Sequence, residues 1–122
     1  MAKNILLVDD EAAFLLSFAD GLRHFYHDLN IFISHNGHEA MDVLKSRPVD
    51  LVITDLRMPE CDGFELLDYI CQSCPEIPVF VVSVFCSFEL PEKLSRLGVK
   101  AHFEKPVDLI DIKEKIGHVL YS

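Results

Sequence analysis

The sequence has few basic side chains and no long apolar run, and both shortages exclude classes of protein. It carries 11 Lys and Arg against 20 Asp and Glu, which gives a formal net charge of −9 over 122 residues. Such a chain gains no charge attraction from nucleic acid or an anionic membrane, so we expect this domain to contact neither. Apolar runs such as 79–82 are far shorter than the roughly 20 residues of a membrane-spanning helix. Met1 leads into strand-like residues without a signal-peptide pattern, so we expect a cytoplasmic location.

The four cysteines lack the spacing of a metal or disulfide framework. Cys71 and Cys74 form a C-x-x-C pair, but no second pair follows at the spacing of a zinc site. The pair closes a helical pattern, whereas redox C-x-x-C motifs open a helix with a reactive thiol. Cys61 and Cys86 stand alone. We therefore predict reduced cysteines that serve as small apolar side chains.

Strand-like and helix-like patterns alternate along the whole chain. Strands are predicted at 4–8, 31–34, 49–54, 79–82 and 101–103. After each strand, apolar residues recur at the three- and four-residue intervals of an amphipathic helix, as in Leu15, Phe18 and Leu22. Five such units predict a single α/β domain over residues 1–122, with a doubly wound parallel sheet covered by helices on both faces.

Three of the predicted helices have recognisable start signals. Asn36 is followed three positions later by Glu39, while Asp62 and Asp108 each precede an amphipathic pattern. Side chains of this kind cap helix N-termini by accepting hydrogen bonds from the first backbone N–H groups. The inward face of the third helix is predicted to consist of Phe64, Leu67, Ile70, Cys71 and Cys74.

Charged and polar residues directly follow four of the five predicted strands. Asp9 and Asp10 follow the first strand, Asp55 the third, Ser83 the fourth, and Lys105 comes just after the fifth. Ligands of open parallel sheets bind at the carboxyl ends of the strands, so we expect these side chains to converge. Three carboxylates on one rim repel each other, and Mg²⁺ with its oxygen ligands would relieve that repulsion. An ammonium and a hydroxyl beside them could bind phosphoryl oxygens, which predicts phosphoryl-transfer chemistry.

These residues stand in an ordered set of motifs that resembles a known family. The set consists of Val8-Asp9-Asp10-Glu11, Thr54-Asp55-Leu56-Arg57-Met58-Pro59, Asp62-Gly63, Ser83, Gly98 and Phe103-Glu104-Lys105-Pro106. In this set the sequence resembles the receiver domain of two-component response regulators over essentially its whole length. The resemblance implies a flavodoxin-like fold, with a five-stranded parallel sheet of order 2-1-3-4-5 and five helices.

The resemblance also implies an acceptor and a metal site. Asp55 would be the phosphoacceptor and would take the phosphoryl group from a phosphohistidine of a sensor histidine kinase or a phosphotransfer protein. Asp9, Asp10 and Asp55 would hold Mg²⁺ together with the backbone carbonyl of Arg57. The protein would then be a self-modifying switch that phosphorylates and dephosphorylates itself, not an enzyme with a separate substrate.

The resemblance also implies how the protein would switch, and two positions depart from the usual family pattern. Lys105 would pair with Asp55 and then with the phosphoryl oxygens, and Ser83 would move to hydrogen-bond the phosphoryl group. The face formed by the fourth helix, fifth strand and fifth helix would then control a C-terminal output domain or an effector protein. The switch position, commonly Tyr or Phe, is His102, and the residue after the hydroxyl, commonly Ala or Gly, is Val84.

Other functions on a similar fold fit the residues less well. A haloacid-dehalogenase-like phosphohydrolase needs a second Asp two positions after the nucleophile, where this chain has Arg57. A flavin mononucleotide carrier needs a phosphate cradle in its first loop, where this chain has acidic residues. A receiver-fold adaptor that works without phosphorylation remains an alternative. His102 and Val84 favour the adaptor slightly, whereas the complete set of acidic residues with Lys105 argues against it.

Overall fold

A computed structural model describes residues 2–56, 63–84 and 90–121, in which five strands alternate with five helices. The elements are β1 (Lys3–Val8), α1 (Ala12–Phe25), β2 (Leu29–Ser34), α2 (Gly37–Ser46), β3 (Leu51–Thr54), α3 (Gly63–Ser73), β4 (Val79–Ser83), α4 (Leu90–Arg96), β5 (Ala101–Glu104) and α5 (Leu109–Leu120). The alternation confirms the predicted α/β class. Among the described residues, no helix combines the length and apolar character needed to cross a membrane.

The five strands form one parallel sheet of order β2-β1-β3-β4-β5. β1 lies between β2 and β3, so that Ile5 pairs with Ile31 on one side and with Leu51 on the other. The order reverses between β1 and β3, where the carboxyl ends of an open α/β sheet leave a crevice for ligands. The strand order that the family resemblance implied is confirmed.

Helices cover both faces of the sheet and create two apolar layers. One layer joins Leu6, Val52 and Val81 to side chains of α2, α3 and α4. The other joins Leu7 and Phe80, with further strand residues, to side chains of α1 and α5. Successive strand residues point to opposite faces, so a strand is apolar at successive positions wherever helices cover both of its faces. This explains the continuous apolar runs of β1, β3 and β4.

Helix capping follows the sequence signals where the structure describes them. The Asn36 side chain accepts a hydrogen bond from the backbone N–H of Glu39 at 2.9 Å, at the start of α2. The Asp108 side chain accepts one from Ile110 N–H at 2.9 Å, at the start of α5. Both predicted caps are confirmed, while the predicted cap Asp62 lies outside the described residues.

The bounds of several strands differ from the predicted ones by one or two residues. The third strand begins at Leu51 instead of residue 49. Just before it, the Asp50 side chain accepts a hydrogen bond from the Asn4 backbone N–H at 2.8 Å. Asn4 N–H is therefore paired with a carboxylate there and not with a backbone carbonyl of the third strand. The second strand begins two residues earlier than predicted, at Leu29, whose side chain is buried.

The predicted inward face of α3 was wrong at one position. Cys71 is exposed, and the buried positions of this helix are Gly63, Leu66, Leu67 and Ile70. Each helical residue turns by about 100°, which carries position 71 away from the face that Ile70 shares with Leu66. Cys71 and Cys74 are both free thiols, as predicted, and Cys74 is half-buried.

Candidate functional site

Backbone hydrogen bonds extend the parallel ladder one residue beyond the strands and bring the predicted site residues to one rim. Asp55 N–H donates to the Val8 carbonyl at 3.0 Å, and Lys105 N–H donates to the Ser83 carbonyl at 2.9 Å. Asp9 N–H likewise donates to the carbonyl of Ser34, the last residue of β2, at 3.1 Å. The chain therefore places the first residue after β1, β3 and β5 side by side at the carboxyl edge of the sheet.

The Lys105 ammonium joins the carboxylates of this rim. Its Nζ lies 2.7 Å from Asp9 Oδ2, 3.1 Å from Asp55 Oδ2 and 3.6 Å from Glu11 Oε1. The Lys105, Asp9 and Asp55 side chains are only 10%, 2% and 7% exposed, and buried charges are tolerated when they are paired in this way. Burial lowers the pKa of Lys105, but the hydrogen bonds and charges of Asp9 and Asp55 outweigh it, and the pKa lies above its ordinary value.

The other oxygens of these two carboxylates are fixed by the backbone. Asp9 Oδ1 accepts a hydrogen bond from Glu11 N–H at 3.0 Å, and Asp55 Oδ1 accepts one from Leu56 N–H at 2.6 Å. The buried Thr54 hydroxyl donates to the Asp55 carbonyl at 2.8 Å. Both carboxylates are thus oriented before any ligand arrives.

Three carboxylates at this rim have the arrangement of a cation site. Ligand oxygens of Asp9, Asp10 and Asp55 lie within 4.8 Å of one another, with Asp9 and Asp55 buried and Asp10 exposed. The carboxylates outnumber the Lys105 ammonium by two charges, and hard oxygen donors of this kind suit a divalent ion such as Mg²⁺. Arg57, whose backbone carbonyl was predicted as a further ligand, lies outside the described residues.

Ser83 and Val84 occupy the end of β4 beside the acidic rim. Ser83 is buried and is the last residue of the strand, in register with Glu104 of β5. Val84 follows it and is 59% exposed. The predicted hydroxyl is therefore on the same edge of the sheet as the carboxylates, while the Val84 side chain faces solvent.

His102 lies on β5 in register with Val81 of β4. Its neighbours Ala101 and Phe103 pack on the α1/α5 side, so the imidazole projects toward the other face, where α4 packs. Its Nε2 is buried and has no hydrogen-bond partner among the described residues. Burial lowers the pKa of His102, and the charge of Glu104 opposes this only partly.

The lowered pKa of His102 predicts a loss of stability in mild acid. The folded protein holds the imidazole neutral, so the His102 contribution is present above its unfolded pKa of 6.5 and is lost as pH falls toward the folded pKa. Urea unfolding followed by circular dichroism between pH 7.5 and 5 should show wild type losing stability relative to His102→Phe. The exposed-site control His38→Gln should follow wild type. Parallel pH curves for wild type and His102→Phe would contradict the prediction.

Sequence reasoning missed two residues of the site, Phe14 and Gly63. The Phe14 ring lies under the Lys105 ammonium, with Nζ 4.4 Å from its centroid. Gly63 N–H donates to the Leu56 carbonyl at 2.9 Å, next to Asp55. The only signal for Phe14 was an aromatic residue in the helical turn that follows the acidic loop. Gly63 was noted only as part of the Asp62-Gly63 motif, and nothing in the sequence supplied a physical reason why this position should be a glycine.

Comparisons with known proteins agree with the fold. The Response regulator receiver domain model matches residues 5–117. The Transcriptional regulatory protein GlrR of Escherichia coli is 35% identical over 117 residues, which cover 96% of this chain and 26% of that protein. Sporulation initiation phosphotransferase F of Bacillus subtilis is 26% identical over 126 residues, covering 98% of this chain and 95% of that protein.

Solved structures give the same result. The crystal structure of a CheY-like response regulator receiver domain protein from Methanospirillum hungatei superimposes with a TM-score of 0.87 and 27% identity, over 97% of this chain and 93% of that one. The chain spans about a quarter of the length of the curated transcriptional regulators that it matches. With the family match over most of its length, the chain belongs to the response regulator receiver domains of two-component systems.

Proposed function

We propose that Asp55 accepts a phosphoryl group from the phosphohistidine of a sensor histidine kinase or a phosphotransfer protein. One observation carries the proposal: a single buried ammonium, Lys105, binds both Asp55 and Asp9 at the carboxyl edge of the sheet. An ammonium has three N–H donors, and the bonds to Asp9 and Asp55 leave one of them for a further oxygen. Here a cation stands between an acceptor and a metal ligand, where it can bind oxygens of a phosphoryl group that arrives on Asp55.

In the proposed transfer, the protein contributes mainly by positioning the reacting groups and by stabilising charge. A carboxylate oxygen of Asp55 attacks phosphorus, the P–N bond of the donor breaks, and its electron pair returns to the donor imidazole. Lys105 then moves its hydrogen bond from Asp55 to a phosphoryl oxygen, and the Ser83 hydroxyl contributes a second one. Positioned donors of this kind stabilise the charge that develops on the transferred group.

A divalent cation completes the proposed site. Asp9 and Asp10 would hold Mg²⁺ with Asp55 and the backbone carbonyl of Arg57. When bound, the ion would neutralise charge on the phosphoryl oxygens. The carboxylates of Asp9 and Asp10 would otherwise repel an incoming phosphoryl group.

Phosphorylation would act as a switch on the face formed by α4, β5 and α5. The phosphoryl group would replace the single carboxylate charge of Asp55 by a charge of about −1.5 to −2 at neutral pH, and this larger charge would draw Lys105 and Ser83 toward it. Ser83 ends β4 and Lys105 directly follows β5, so their displacement would change that face, and His102 on β5 lies within it. The phosphorylation-independent adaptor is not favoured, since it gives no role to the paired buried charges.

The partners would be a phosphoryl donor on one side and an output domain or effector protein on the other. The net charge of −9 argues against contact of this domain itself with nucleic acid or an anionic membrane. Phosphohistidine donors of two-component systems act in the cytoplasm, and we place the domain there.

The proposal predicts an adduct that forms only with Asp55 and a divalent ion. Intact-mass spectrometry after incubation with acetyl phosphate and Mg²⁺ should show one added phosphoryl group, and the adduct should be absent with Asp55→Asn or with chelator. The exposed-residue control Asp42→Asn should react like wild type. Absence of an adduct on wild type, together with a backbone NMR spectrum unchanged by beryllofluoride and Mg²⁺, would reject the phosphoacceptor in favour of the adaptor.

A further inference from the structure

An aromatic ring lies against the Lys105 ammonium, which also donates hydrogen bonds to two carboxylates. Phe14, in the first turn of α1, places its ring centroid 4.4 Å from Lys105 Nζ. Phe18, one turn further along the helix, stacks behind it with ring centroids 5.5 Å apart and an interplanar angle of 11°. Phe18 is buried, so the half-buried Phe14 ring rests on a fixed support.

The ring limits where the ammonium can go. Two of its N–H groups donate to Asp9 and Asp55, and the face of Phe14 attracts the cation without offering a lone pair that would compete for a proton. Glu11 is a further acidic neighbour, with Oε1 3.6 Å from Nζ and a side chain that is 66% exposed, and it would draw a freer ammonium toward solvent.

We propose that Phe14 is a positioning residue for phosphoryl transfer, because its ring holds the Lys105 ammonium over the site where the phosphoryl oxygens of Asp55 will lie. The inference rests on the function proposed above. A donor that is already in place stabilises the transition state without having to reorganise, whereas a lysine that alternates between Asp55 and Glu11 does not. Phe14 would act through Lys105 and would take no part in the transfer itself.

The test compares an aliphatic and an aromatic replacement. Phe14→Leu keeps an apolar side chain but removes the ring, and should slow adduct formation from acetyl phosphate about three- to tenfold. Phe14→Tyr keeps the ring and should restore the rate to within about twofold of wild type. The matched control is Phe25→Leu, since Phe25 on the same helix lies 5.0 Å from Lys113 Nζ and far from the acidic rim. It should react like wild type.

An NMR signature separates a positioning role from a merely structural one. Protons above an aromatic ring resonate upfield, so the Lys105 ε-methylene signal should be shifted upfield in wild type and in Phe14→Tyr but not in Phe14→Leu. Phe14→Met replaces Phe14→Leu in both experiments if the leucine variant does not fold.

Each outcome has a distinct meaning. Equal rates for wild type and Phe14→Leu, or a Lys105 signal without an upfield shift in wild type, overturn the inference and leave the phosphoacceptor proposal intact. A wild-type protein that forms no adduct and does not respond to beryllofluoride overturns the proposed function and the inference with it.

Discussion

Replacing Lys105 by Met is expected to slow adduct formation from acetyl phosphate by about 10²- to 10³-fold while Mg²⁺ binds more tightly. The two effects have opposite signs because the proposed function gives Lys105 two roles. It would supply a positive charge to the phosphoryl oxygens, and in the unmodified protein it would compete with a cation for Asp9 and Asp55, whose oxygens lie 2.7 and 3.1 Å from its ammonium. Methionine is unbranched like lysine, is one atom shorter and carries no charge.

The same substitution should also lower the stability of the metal-free protein. Removing one partner of a buried ion pair leaves the other charge uncompensated, which costs about 3–5 kcal/mol. The pKa of Lys105 is raised in the folded state, so its contribution is fully present below the unfolded pKa of 10.5 and is lost only as pH rises through the folded pKa. At pH 7 the Lys105→Met protein should therefore lack the whole stabilising contribution of Lys105. Mg²⁺ should restore part of the lost unfolding free energy by binding the folded state.

Adduct formation, calorimetric Mg²⁺ titration and urea unfolding at pH 7 check these effects together. Lys100→Met is the matched control, because Lys100 is exposed and precedes β5, outside the acidic rim. It should leave the adduct rate and the Mg²⁺ affinity unchanged. A Lys105→Met protein with wild-type Mg²⁺ affinity would show that the ammonium does not compete with the cation for these carboxylates.

The main contacts of the site could be predicted because they follow from sheet topology. Lys105 is 96 residues from Asp9 and 50 from Asp55 along the chain, yet each follows the end of a parallel strand. Parallel strands that are recognised by their apolar runs must place their carboxyl ends on one edge. The alternation of the elements therefore placed these residues together, and the family resemblance supplied the order of the strands.

Contacts that depend on the rotation and approach of helices could not be predicted in this way. Phe14 reaches Lys105 only because α1 presents that side of its first turn to the end of β5. The same sensitivity misplaced Cys71 on α3, where one position along the helix separates the buried face from solvent. Within the described part of the chain His102 Nε2 has no hydrogen-bond partner, and this likewise depends on how α4 packs against β5, which the identity of the residue does not reveal.

Replacing Gly63 by Ala is the second change expected to have a large effect. Gly63 belongs to a recognised sequence motif, but the need for a glycine there follows only from the close approach of α3. A Cβ at Gly63 would lie 2.5 Å from Leu56 Cα and 2.6 Å from the Asp55 carbonyl oxygen. Both contacts are with backbone, which cannot rotate away as a side chain can. Gly63→Ala should therefore displace the segment that orients the Asp55 carboxylate through Leu56 N–H, slow adduct formation, and lower the unfolding free energy by about 1–3 kcal/mol.

Helix propensity alone would predict that Gly63→Ala makes the protein more stable. Gly63 is the first residue of α3, and alanine is favoured over glycine within helices by about 1 kcal/mol. The control Gly21→Ala in α1 separates the two effects, because the atom that its Cβ would meet, at 2.5 Å, is the tip of the flexible Leu109 side chain. Urea unfolding and the rate of adduct formation should place Gly21→Ala near wild type and Gly63→Ala well below it. If Gly63→Ala were as stable and as reactive as wild type, the close approach of α3 to the Asp55 backbone would not be what keeps the acceptor in position.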